Sequence, residues 1–166
     1  MKNYDLSDLD KYNTLKPSGM MWLVLAFQAR HVVLVLLVAF NVFVGLRRHG
    51  GDNPFHYLIM FGAGPQFLLA SLLPSLLIGI ALWRRTPEAA PIYRRIWKRG
   101  RDLLIFSVLL EIVLFVATYL HRAYEPTLFV VVTVLLDFYI VVYLSHSYRV
   151  ADTFADFPAE KSSGAK

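Results

Sequence analysis

The sequence predicts an all-α membrane protein of four transmembrane helices with both termini cytoplasmic. A basic amphipathic helix is expected in the cytoplasmic loop between spans two and three. Three observations carry this. Of 166 residues, 57% are hydrophobic, above the roughly 45–50% of an ordinary soluble domain. The apolar residues fall into long runs separated by short polar connections, the pattern of spans and not of one large core. Lysine and arginine are strongly biased to one set of connections.

The first span is expected at residues 18–46. At 1.5 Å per residue it reaches about 43 Å, more than the ~30 Å hydrocarbon core requires, so it should tilt or begin with an interfacial turn. No small-residue cleavage site follows a short apolar core, so the run is expected to be retained. The second span, residues 66–83, follows a segment at 55–64 that reads as a short half-inserted helix broken by Gly62, Gly64 and Pro65. Pro74 should kink this span, tolerably so if a neighbour satisfies the freed carbonyl. Ser71, Ser75 and Gly79 make a small-xxx-small ridge suited to close helix packing. Spans three and four, residues 103–120 and 127–144, flank six residues and form a tight antiparallel hairpin.

Orientation follows from the cations near the span ends. The loop after span two holds Arg84, Arg85, Arg94, Arg95, Lys98, Arg99 and Arg101, and the terminal segments add Lys2, Lys11, Lys16, Arg149, Lys161 and Lys166. The remaining four of the seventeen are Arg47, Arg48 and Arg122 on the opposite side and Arg30 inside span one. Within PIYRRIWKRGR the apolar Ile92, Tyr93, Ile96 and Trp97 oppose the cations, the pattern of a helix lying on an anionic leaflet. These seven cations are therefore assigned to lipid headgroups and topology, not to nucleic acid. Trp22, Trp83 and Trp97 are expected as interfacial anchors on that face.

Three charges remain inside spans. Arg30 lies about 18 Å from the start of its helix, Glu111 about 13 Å from the same side, and Asp137 about 15 Å from the other. One cation and two acids thus share the level of the midplane, where each alone costs about 2.5–3.5 kcal/mol. They are expected to meet, because the guanidinium fork can serve two carboxylates. His31 is a candidate second cation, although one residue along the helix turns it about 100° from Arg30. Gln28, Asn41, Ser107, Thr118 and Thr133 are expected to extend a polar seam on the same faces.

Ser7 followed by Asp10 suggests a capping box, and Tyr4, Leu9, Tyr12 and Leu15 could rest on the interface. Phe154 or Phe157 could pack under the bundle, and residues 159–166 read as a flexible tail. There is no cysteine, and no nucleophile elbow, phosphate loop or HExxH pattern occurs. The histidines sit at depths that do not pair, so no haem is expected. No catalytic residue, metal or cofactor is assigned, and the chain is treated as one integral membrane domain over residues 1–166.

The segments YDLSDLDKYNTLKP, WLVLAFQARHVV and SYRVADTFADFP resemble, in order, those of the YfeZ-like bacterial inner-membrane family of unknown function. The shared features are an LKP entry at Leu15–Pro17, the Gln-Ala-Arg at Gln28–Arg30 and the Phe-Ala-Asp-Phe-Pro tail at Phe154–Pro158. The resemblance implies a small multi-span inner-membrane protein of a Gram-negative bacterium and brings no catalytic residue. The expected function is a non-enzymatic partner or accessory subunit, contacting the bilayer and anionic headgroups and a membrane-protein partner or a second copy. Alternatives are a proton- or ion-coupled transport component using Glu111 or Asp137, and an immunity-type protein against a membrane toxin.

Overall fold

A computed structural model describes residues 4–33, 36, 68–122 and 128–159. Among these the chain is helical without strands. A 3-10 turn at Leu6–Asp8 precedes α1 (Gly19–Gln28), α2 (Leu73–Trp83), α3 (Pro91–Lys98), α4 (Gly100–Arg122), α5 (Leu128–His146) and α6 (Tyr148–Ala155). No single described helix is long and apolar enough to cross a membrane. Val130–His146 and Tyr148–Ala155, bent by 65° at their junction, pass that test only as a pair. The proposed half-inserted segment at 55–64, Asn41, the far end of span one and the tail from residue 160 lie outside the described residues.

The first residues do not form the expected capping box. The Asp10 carboxylate instead accepts from the backbone N–H of Tyr12 at 2.8 Å, that of Thr14 at 3.1 Å and the Thr14 hydroxyl at 2.7 Å. That closes a turn in which Asn13 adopts φ 57°, a left-handed conformation that Asn tolerates better than most side chains. Ser18 then caps α1, accepting from the Met21 N–H at 3.2 Å.

α1 stops early. Ala29 ends it with ψ near zero, and helical backbone resumes at residues 30–33. Span one therefore carries a break immediately before Arg30, where a continuous helix was expected.

α2 is entered through a π-helical turn, Leu68–Leu72. Pro74 has no N–H to offer the carbonyl four residues back, at Ala70. The Ser107 hydroxyl of α4 donates to that oxygen at 2.6 Å instead. The Ser75 hydroxyl bonds the Ser71 carbonyl of its own helix. Ser71 and Ser75 are buried, whereas a Cβ on Gly79 would meet nothing within 4 Å. The small-residue ridge thus ends before Gly79, which faces an open groove and not a packed helix.

α4 and α5 pack along their lengths as the central hairpin, with α1 and α2 alongside. Met21, Val24, Ile78, Ala81, Leu104, Val108, Ile140 and Leu144 form the core that joins them, and it continues into Trp97, Val150 and Phe154. Ser147 ends the central hairpin by capping α6, and α6 folds back under the bundle against α3 and α4. A Cβ on Gly100 would lie 2.8 Å from Cδ1 of Phe154, so only glycine admits this ring.

Candidate functional site

The break at Ala29 sets the site. There the Phe27 carbonyl, which also takes the Ala29 N–H, accepts from Arg30 Nη1 at 2.9 Å, and the guanidinium lies 3.8 Å over the Phe27 ring. From there Nη2 donates to Glu111 Oε1 of α4 and lies 3.4 Å from Asp137 Oδ1 of α5. Glu111 and Asp137 are fully buried, and 15% of the Arg30 side chain is exposed. One nitrogen thus joins three helical segments.

His31 does not turn away. Its Nε2 lies 2.8 Å from the same Glu111 oxygen. The 100° separation assumed a regular helix, and the break combined with the reach of the arginine side chain lets both residues meet one carboxylate. The cluster is not closed: among the described residues Glu111 Oε2 and Asp137 Oδ2 have no hydrogen-bond partner, nor has either amide atom of the buried Gln28 on α1. Buried polar atoms are rarely left so, since each costs about 1–3 kcal/mol.

The wider seam divides. Ser107 and Thr133 are buried beside Glu111 and Asp137 on their helices. Thr118 instead donates at 2.7 Å to the Leu114 carbonyl of its own helix. No group of His, Cys, Asp or Glu suited to holding a metal ion occurs among the described residues.

The seven loop cations also divide. Arg84, Arg95, Lys98 and Arg99 are exposed. Arg85, Arg94 and Arg101, assigned from sequence to headgroups, are turned onto the protein's own carbonyls. Arg85, 6% exposed, donates to Leu15 O at 2.8 Å and Asp156 O at 2.9 Å. Arg94 donates to Pro158 O at 2.6 Å and Pro87 O at 2.8 Å, and Arg101 to Ser145 O at 3.1 Å. Trp97 is no interfacial anchor either. It is fully buried, its Nε1 donates to Thr153 O at 2.9 Å, and it packs on Phe154 with centroids 4.9 Å apart. Ile92, on the face expected to meet lipid with it, is left exposed. The reason is alike: backbone carbonyls at Leu15, Pro87 and Ser145, and in α6 and the segment after it, lie within reach, and these strong donors bond them.

Sequence reading missed the resulting clasp. Asp156 accepts the Leu15 N–H at 2.7 Å, Tyr4 donates to Asp152, and Arg149 pairs with Asp8 at 2.6 Å. The N-terminal segment, the loop and the C-terminal segment thereby become one cap at one end of the bundle. The hydrogen bond to Asp152 raises the Tyr4 hydroxyl above 10.0. That from Arg149 holds Asp8 below 3.8. Burial pushes Asp10 up, but the Thr14 and Tyr12 donors outweigh it and leave it below 3.8. Burial lowers the Arg85 guanidinium below its ordinary value, opposed by Asp10 and Asp156.

A family of proteins of unknown function, DUF2919, matches residues 56–156. The matched region contains Glu111, Asp137 and most of the cap, while Arg30 precedes it. No curated protein and no solved structure matches the chain. With well over half its length matched, the chain belongs to the DUF2919 family of proteins of unknown function.

Proposed function

We propose that this chain is a non-enzymatic, four-span bacterial inner-membrane protein of the YfeZ-like kind. It would serve as an accessory or partner subunit whose midplane charges tie its helices together. The observation that carries the reading is the single Arg30 nitrogen serving acids from two different helices. Such clusters fix which helices pack together more than they add net stability.

The distribution of polarity favours a membrane. Phe106, Leu109, Val113 and Val116 point outward from α4, and Leu128, Val131, Leu135 and Val142 from α5. The acids, Ser107 and Thr133 point inward. Soluble monomers rarely expose such continuous apolar faces. The cap carries the excess cations and would lie in the cytoplasm, with Arg84, Arg95, Lys98 and Arg99 near anionic headgroups, each contributing about 1 kcal/mol.

Gentle extraction of the tagged protein from its own membrane, followed by identification of stoichiometric companions, tests the subunit role. A reproducible membrane-protein companion is expected. Purification as a lone monomer would remove the support for that role.

A second reading, proton- or ion-coupled transport, is favoured by the oxygens of Glu111 and Asp137 that have no partner among the described residues. Intramembrane ionisable groups of this kind often move protons. In that case Glu111→Gln or Asp137→Asn abolishes a pH-dependent flux in vesicles while the protein still folds and inserts.

A further inference from the structure

An apolar groove of about 590 Å³ runs between α1 and α2, with Trp22, Ala26, Ala29, Gly79, Ile80 and Trp83 among its walls. Ser75 also lines it, but its hydroxyl is tied to the Ser71 carbonyl. The two helices run antiparallel here, since Arg85 just beyond α2 bonds the Leu15 carbonyl just before α1. Trp22 and Trp83 therefore stand at the same mouth of the groove, and both are exposed.

Three features fit one occupant. From Trp22 to Val33 the groove follows the first helix for about 16 Å, close to half of a ~30 Å hydrocarbon core and so about one leaflet. Its mouth carries two tryptophans, the residues that settle at headgroup level. Immediately beyond stands Arg84, exposed, with its guanidinium 5.7 Å from the Trp83 ring. A slot one leaflet deep, with an indole belt and a free cation above it, matches a phospholipid with an anionic headgroup.

We propose that this groove binds an anionic phospholipid of the cytoplasmic leaflet, with an acyl chain between α1 and α2 and its phosphate at Arg84. The proposal rests on the membrane reading above. Gly79 is the position that distinguishes a binding slot from packing. Nothing lies within 4 Å of a Cβ there, so a larger side chain starts out into the groove and not against a packed neighbour. Leucine also suits a helix better than glycine does.

The test is native mass spectrometry of the full-length protein in mild detergent, with dioleoylphosphatidylglycerol or dioleoylphosphatidylcholine added. The wild type is expected to retain one phosphatidylglycerol per chain. Gly79→Leu should lower that retention several-fold with the thermal transition preserved, and Arg84→Gln should reduce it to the level of phosphatidylcholine. Undiminished retention in Gly79→Leu, or equal retention of the two lipids by the wild type, overturns the proposal. A dimer that Gly79→Leu dissolves also overturns it, since the occupant is then a second copy. Alkaline carbonate washing of native membranes separates the two claims. Release of the chain defeats the membrane reading and the groove with it. Retention combined with a silent Gly79→Leu defeats the groove alone.

Discussion

Arg30 and Arg85 are two guanidiniums largely withdrawn from water, and they are held in opposite ways. Arg30 meets two buried carboxylates, one of them shared with His31, beside the Phe27 carbonyl and ring, so charge is answered chiefly by charge. Arg85 meets two backbone carbonyls and lies 4.9 Å over the Trp97 ring, so charge is answered by dipoles and a π face. Both leave buried polar atoms without partners among the described residues, Glu111 Oε2 and Asp137 Oδ2 in the first and Arg85 Nε in the second, but the second also locks three chain segments into a cap. The charge cluster is therefore a place where removing one group strands others, whereas the cap is a place where removing one group opens a seam.

The most disruptive way to break this contrast is Arg30→Leu, which leaves Glu111 and Asp137 buried without their cation. A loss of about 3–5 kcal/mol is expected, read as an earlier unfolding transition in detergent titration. Arg85→Lys keeps the charge but loses the fork that reaches both Leu15 and Asp156. It should cost about 2–4 kcal/mol, given that a hydrogen bond to a charged group contributes about 1.5–3. Its signature is local: faster proteolysis of the N-terminal segment before any change in the helices.

Ser107→Ala removes the donor to Ala70 and should cost about 1 kcal/mol. Pro74→Ala in the same chain returns a backbone N–H to that carbonyl, and the pair together should lie closer to wild type than Ser107→Ala alone. An additive outcome would deny the exchange between the two groups.

The smallest effect concerns pH. Asp8 has a folded-state pKa below its ordinary 3.8, so the stability it contributes is present above that value. It is lost as pH falls through the lower folded value. Asp10 acts in the same direction. Hydrogen exchange of residues 4–17 should accelerate below about pH 4, and Asp8→Asn should show part of that loosening at neutral pH.

The same contrast explains what was legible in the sequence. Arg30, Glu111 and Asp137 stand out because charges in apolar runs are rare, and counting residues places them at one depth. The need for a donor at the Ala70 carbonyl was also readable, since Pro74 removes a known N–H. The cap was not readable. The acceptors of Arg85 and Trp97, and one of those of Arg94, are backbone carbonyls of Leu15, Thr153, Asp156 and Pro158, which every residue possesses and no pattern marks. Trp97 and three of the loop arginines were accordingly given to lipid on amphipathic pattern alone, which registers that a face is apolar but not what covers it. His31 was legible as a member of the cluster, but its sharing of Glu111 with Arg30 was not. Regular helical geometry sets the two about 100° apart, and a local break at Ala29 leaves little trace in composition.

The central claim, that Arg30 ties α4 and α5 together, is tested most directly by a double-mutant cycle. It compares the unfolding free energies, in one detergent mixture, of Arg30→Leu, of Glu111→Gln with Asp137→Asn, and of all three substitutions combined. The account predicts that neutralising the acids recovers much of the stability lost in Arg30→Leu, a coupling well above 1 kcal/mol. Additive losses, or an Arg30→Leu variant as stable as the wild type, would contradict it.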